Sequence, residues 1–228
     1  VKTGDEMVKK YDIVVEYIKD GIKKGSIKYG EKLLPERVLA EKLHIGRSTV
    51  REGIKVLEIM GLVESRRGGG NYITNNFEKM LYNPITLMFS LQNGTYNDVY
   101  ELRKMLEESS IELCVGRITD EEIRDMEEVH QRLLESTNEA QMSLVDLEFH
   151  SIIAKASKNP LIISILNSVS EILENSVKTS RQRVIEKFGK KTIDQDHQAI
   201  VDALKERNLE KAKKAIKEHF DHIEKTIN

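Results

Sequence analysis

The 228-residue chain contains a single cysteine, Cys114. One thiol excludes an internal disulfide and a thiolate-rich metal cage, and predicts a buried core position rather than a ligand. No apolar run approaches the roughly 20 residues that span a bilayer. The first ten residues, "VKTGDEMVKK", hold no apolar segment of the secretory kind, so the sequence predicts a cytoplasmic protein. Repeats and low-complexity tracts are missing, and so are an H-E-x-x-H helix and a Ser/His or Cys/His nucleophile pattern. "EEVH" (127–130) supplies one Glu-x-x-His pair, where a di-iron bundle needs two with further Glu ligands.

Charge is plentiful, at 32% Asp, Glu, Lys and Arg, and unevenly spread although the net charge is only −2. Residues 1–76 hold 15 basic against 11 acidic side chains, and the remainder 21 against 27. The split predicts a basic module that meets an anion, followed by an acidic one that does not.

Periodicity sharpens that division. Met7, Tyr11, Val14, Ile18 and Ile22 share one helical face. "ERVLAEKL" (36–43) reads as a short helix, "HIG" (44–46) as a tight turn and "RSTVREGIKVLEIMG" (47–61) as a second helix. "LVES" and "NYIT" read as short strands around the glycine-rich "RRGGG" (66–70). From residue 77 the pattern is helical throughout: helices near 77–91, 96–117, 120–136, 140–157, 160–188, 191–206 and 208–227. Thr95, Thr119 with Glu122, and Asn159 before Pro160 have the chemistry of helix starts. The expectation is a mainly α chain: a winged helix-turn-helix domain (1–76) and an antiparallel bundle of about seven helices (77–228).

A winged helix-turn-helix suits DNA. Arg47, Ser48, Thr49 and Arg51 open the second helix, where donors can reach base edges and phosphates in the major groove. Gly68, Gly69 and Gly70 allow close backbone approach at the hairpin tip, beside Arg66 and Arg67. A solvated basic helix beside an incidental hairpin is the plainer alternative. The segment "LLPERVLAEKLHIGRSTVREGIKVLEIMGLVESRRGGGNYI" (33–73) resembles the DNA-binding domain of GntR-family bacterial transcription regulators. That resemblance implies operator contacts from Arg37, Arg47, Thr49 and Arg51, with Arg67 and Gly68 acting from the wing tip. Two departures stand out: Pro35 replaces the family's capping Ser, and Gly46 replaces a small polar residue.

The C-terminal part carries an unusual set of buried polar side chains. Asp146 and His150 stack one turn apart in the apolar "DLEFHSIIAKAS" (146–157). His197 falls among Ile193, Ile200, Val201 and Leu204, and His219 lies at the inner edge of the last helix's stripe, with His222 nearer solvent. Three helices thus aim metal-capable side chains inward. One Asp and three neutral imidazoles suit Zn²⁺, Ni²⁺ or Mn²⁺. A hydrogen-bonded polar core and a catalytic site are the other two readings of that geometry. Arg103, on an inner face, needs an anion: a ligand carboxylate, or a structural Glu such as Glu107 or Glu108. Ser176, Ser180 and Arg183 extend the face of the helix 160–188 toward the same cavity.

These positions resemble the FCD ligand-binding domain of the FadR-type branch of the GntR family, over about 95–222. Asp146, His150, His197 and His219 fall on the ligand positions of its metal-binding members. The resemblance implies a divalent ion, foremost Zn²⁺, that helps hold a small carboxylate effector, with Arg103 on the effector. It implies a homodimeric regulator, read as a repressor, on a palindromic double-stranded operator. The alternatives from other classes are a metal-dependent enzyme of the helical-bundle type and a sensor of the metal ion itself.

Overall fold

Helix starts along the chain are set by the residues whose side chains can bond free first-turn amides. In the computed structural model, which describes residues 9–75 and 77–227, Thr95 and Asp98 form a reciprocal capping box, as do Thr119 and Glu122. Asn138, Asn159 and Asn208 accept from the amides two or three residues on. The chain divides into two compact units, with the break after Leu81.

The first unit is built from α1 (Asp12–Lys23), α2 (Glu36–Leu43), α3 (Arg47–Ile59) and the hairpin of β1 (Val63–Arg66) and β2 (Gly70–Ile73). Val14, Ile18, Leu39, Val50, Ile54, Leu57, Val63 and Ile73 form its core. Met7, expected to begin the first stripe, lies outside the described residues. The strands pair antiparallel, Val63 opposite Ile73 and Arg66 opposite Gly70. Gly68 and Gly70 turn the tip with φ of 72° and 92°, a region open mainly to glycine. Pro35 and Gly46 provide no side-chain cap to α2 and α3.

The second unit is helical: the C-terminal part of α4 (Phe77–Leu91), then α5 (Tyr96–Val115), α6 (Asp120–Glu135), α7 (Glu139–Ala156), α8 (Pro160–Ser168), α9 (Ser170–Phe188), α10 (Lys190–Lys205) and α11 (Leu209–Glu224). The helix expected over 160–188 is two helices. Val169 steps out of helical dihedrals at φ −104° and ψ 8°, so among the described residues eight helices follow the wing, where about seven were expected. α7 packs against α5, α6, α8 and α9, and α9 against α5, α7, α8, α10 and α11. Phe149, Ile153, Ile200, Leu204, Ile216 and Phe220 belong to the surrounding core, with Cys114 buried beside them as expected. Among the described residues no helix is long and apolar enough to cross a membrane.

One close contact sets the spacing of α1 and α3. A Cβ at Gly53 would lie 2.5 Å from Val14 Cβ, and Val14 is fully buried. Alanine is worth about 1 kcal/mol over glycine in a helix, whereas overpacking a core costs about 1–3 kcal/mol. Gly53→Ala is therefore expected to destabilise the first unit in urea denaturation of the full chain. A stabilised variant would show that the two helices are not in this contact.

Candidate metal centre

Three helices bring four polar residues to one buried point. α7 places Asp146 and His150 one turn apart, α10 contributes His197 and α11 contributes His219. All four are buried, at 0–4% exposure. The ligand-capable atoms of the three histidines lie within 4.8 Å of one another, with ring centroids 5.0 to 5.3 Å apart. Asp146 stands just outside this trio, 3.8 Å from His150 Nε2 and 3.6 Å from His197 Nε2. Its oxygens are taken by arginines: Arg181 Nη1, from α9, donates to Oδ1 at 2.9 Å and Arg103 Nη2, from α5, to Oδ2 at 3.3 Å.

Arg103 also donates through Nε to Glu107 Oε1 at 2.6 Å, and Glu107 Oε2 contacts His150 Nδ1. The structure therefore places Arg103 in an internal ion-pair network with Glu107, one of the two acids expected as its partner. Arg181 was not foreseen. Arg183, expected to line the cavity, is exposed and lies over the Tyr96 ring at 4.9 Å. The signal was present in the spacing: Leu173, Val177, Arg181 and Val184 follow a 4-4-3 helical stripe, and its other three members are buried. His222 is half-exposed, as expected, and its Nδ1 meets Asp196 Oδ2 at 2.8 Å. His130 is buried but sits outside the trio, against Phe149 and His197. Glu127 is turned outward to Lys205 at 2.6 Å, so the Glu-x-x-His pair does not form a site.

Burial would push the Asp146 carboxyl up, but Arg181, His150, His197 and Arg103 hold it far below the usual carboxylate range. Glu107, equally buried, is held down at about 2 by Arg103 and His150. Burial pushes His197 and His219 well below the ordinary imidazole value, and neighbouring histidines and arginines add to the effect. Both rings are thus neutral, the form that binds metals. Among the described residues, none of the six ring nitrogens of His150, His197 and His219 has a hydrogen-bond partner. An unpaired buried polar atom costs about 1–3 kcal/mol, so a set of six calls for an occupant. The donor set fits a divalent ion: imidazoles with an adjacent carboxylate are the ligands that Zn²⁺ takes. Beside the trio, Arg103, Ser180, Arg181, Asp196 and His219 line a small cleft.

In the first unit the expected DNA-facing residues are exposed. Arg47 and Ser48 open α3, with Thr49 partly covered, and Arg67 and Gly68 occupy the wing tip. Arg51 donates to Glu36 at 3.0 Å and Arg37 to Glu41 at 2.7 Å. Both pairs are solvent-exposed and screened, so they hold the two arginines only weakly.

A winged helix-turn-helix followed by an all-α unit with a buried histidine centre defines a two-part DNA-binding regulator. The family model described as "Bacterial regulatory proteins, gntR family" matches residues 10–73, and the FCD domain model matches 98–222. The HTH-type transcriptional regulator LutR of Bacillus subtilis (strain 168) is 30% identical over 215 residues, covering 91% of this chain and 96% of that protein. The Glc operon transcriptional activator of Escherichia coli (strain K12) is 30% identical over 224 residues, covering 95% and 88%. A Streptococcus agalactiae GntR structure superposes with a TM-score of 0.74 at 26% identity, covering 95% of this chain and 99% of that one. The chain belongs to the GntR family of bacterial regulators, with a C-terminal FCD domain. It is a DNA-binding transcription regulator and not an enzyme.

The depressed imidazoles set a pH dependence. In the unfolded chain His197 and His219 protonate near pH 6.5, whereas in the folded chain they stay neutral below it. Below pH 6.5 the unfolded state binds more protons, so the metal-free chain loses stability as pH falls. The slope is up to about 1.4 kcal/mol per pH unit for each histidine. Glu107 and Asp146, with depressed values, add their loss only below about pH 4.5. Urea denaturation from pH 5.5 to 7.5 with a chelator should show the first slope, and His219→Asn should reduce it. A flat profile would contradict neutral buried imidazoles.

Proposed function

We propose that the protein is a cytoplasmic homodimer that reads a palindromic operator through α3 and the wing. A small carboxylate held at a divalent metal in the FCD domain sets its operator affinity. The observation that carries this reading is the trio His150, His197 and His219, whose converging nitrogens lack hydrogen-bond partners. These three, with Asp146, would hold the ion. Zn²⁺ suits the donor set best, and Ni²⁺ or Mn²⁺ would also fit it. A bound ion supplies a Lewis-acidic point for one carboxylate oxygen.

The cavity beside the trio favours an acid. Arg181 is buried, donates through Nη1 to Asp146, and leaves Nε and Nη2 without partners. Nε and Nη2 form one edge of the guanidinium fork, which matches a carboxylate through two parallel hydrogen bonds. Arg103, expected to fill this role, is already engaged by Glu107 and Asp146. Arg181 is therefore the stronger candidate for the effector's anchor, and Arg103 supports it.

Uncapped first-turn amides of α3 after Gly46, together with Arg47, Ser48, Thr49 and Arg51, suit a phosphate and base edges. Met105, Leu144 and Leu161, on the neighbouring helices α5, α7 and α8, are 68%, 53% and 72% exposed and supply apolar area for a second copy. Two recognition helices would match half-sites one turn of DNA apart. One relative is named an activator, so the sign of regulation, expected as repression, follows from operator placement rather than from the fold.

Two experiments test this reading. Gel shifts on a duplex selected from a random pool should show one dimer bound, and Arg51→Ala should weaken binding by at least tenfold, the scale of a lost bidentate contact. Unchanged affinity would remove α3 from the interface. A panel of C2–C6 hydroxy acids should shift the melting temperature of the zinc-loaded protein and change its operator affinity, and Arg181→Ala should abolish both effects while zinc stays bound. Operator affinity that follows chelation alone, with no acid effect, would make the ion itself the signal.

A further inference from the structure

A metal-binding imidazole must present one bare nitrogen to the ion and dispose of the proton on the other. Metal-ligating histidines usually donate that second N–H to a carboxylate or carbonyl, which fixes tautomer and ring orientation. The three histidines here are unequal in this respect. His150 alone has a carboxylate in contact with its far nitrogen: Nδ1 meets Glu107 Oε2, although neither atom makes a hydrogen bond there, while Nε2 lies toward Asp146 at 3.8 Å. His219 Nδ1 has a carboxylate only at 3.9 Å, on Asp196, which is already engaged by His222 Nδ1 at 2.8 Å. His197 Nδ1 has no hydrogen-bond partner among the described residues.

Glu107 is itself held. Arg103 Nε occupies its other oxygen at 2.6 Å, and Arg103 Nη2 reaches Asp146 Oδ2 at 3.3 Å. Asp146, Arg103, Glu107 and His150 therefore form a linked chain across α5 and α7, every member 2–4% exposed. The geometry points to Glu107 as the positioning residue of the centre: its carboxylate keeps the proton of His150 on Nδ1 as a hydrogen-bond acceptor and leaves Nε2 bare toward His197 and His219. This rests on the metal reading above and adds to it the one residue that fixes a ligand's tautomer. Glu107 is not itself a ligand.

The isosteric variant Glu107→Gln separates this role from simple neutralisation of Arg103. The cationic Arg103 is the stronger donor and should claim the amide oxygen. The amide NH₂ then faces His150 Nδ1, which must accept, so the proton moves to Nε2 and blocks the ligating position. Glu107→Asp keeps the charge on Arg103 but withdraws the carboxylate from His150.

Long-range ¹H–¹⁵N spectra of the metal-free full chain should show His150 as the Nδ1–H tautomer in the wild type and as Nε2–H in Glu107→Gln. Competition with a chromophoric chelator should show zinc bound 10- to 100-fold more weakly by both variants, the usual cost of losing such a partner. A wild-type His150 carrying its proton on Nε2 overturns the proposal, even where a variant fails to fold. So does zinc affinity within twofold of wild type in a folded variant. A wild type that binds no zinc defeats the metal reading alone, because the tautomer measurement on metal-free protein still decides whether Glu107 governs His150.

Discussion

The second unit is organised around a buried cluster of charges centred on Asp146. Asp146 lies in the middle of α7, and taking a carboxylate out of water costs several kcal/mol unless it is paired. Arg181 and Arg103 supply the pairing from α9 and α5, and each arginine is itself a buried charge. Breaking such a cluster by removing one partner is costly, on the order of 3–5 kcal/mol. The cluster therefore ties α5, α7 and α9 to one relative arrangement. Two of these helices also reach the histidine centre: α7 carries His150 one turn from Asp146, and α5 carries Glu107 one turn from Arg103. Positive charge close by, together with burial, keeps His197 and His219 neutral, as metal ligation requires.

This arrangement gives the regulator a mixed-charge pocket rather than a plain cation site. A bare cluster of carboxylates would favour a cation alone, and a bare pair of arginines would favour an anion alone. Neutral imidazoles, two carboxylates and two guanidiniums suit an ion and an organic acid together. To act as a switch, such a ligand must interact differently with two states of the protein. The pocket touches α5, α7, α9, α10 and α11 at once, so a ligand there bears on the packing of most of the bundle.

Much of this was legible in the sequence because helices announce their ends and faces. Thr95, Thr119 and Asn159 marked starts through side chains that bond free amides, and the Arg47–Arg51 stretch marked α3. His150, His197 and His219 stood out as polar residues inside apolar stripes. Other features left weaker marks. The break at Val169 has no glycine or proline, and the apolar stripe of 160–188 runs through it, so periodicity alone could not divide α8 from α9. Arg181 was passed over for Arg183, although it lies four residues after the buried Val177 and three before the buried Val184. The length of arginine hides its direction: a long side chain can snorkel from an inner position or reach in from an outer one. The engagement of Arg103 with Glu107 was one of two readings open from spacing, and only the distances separate them.

The central claim is that His150, His197 and His219 converge to hold a metal ion. Diffraction data from crystals of the purified, zinc-loaded protein, collected on either side of the zinc absorption edge, test it most directly. The expected result is one anomalous peak per chain, within bonding distance of a nitrogen from each of the three rings and beside Asp146. No peak there, with the three rings instead bonded to ordered water or to one another, would contradict the claim and leave the trio a polar core.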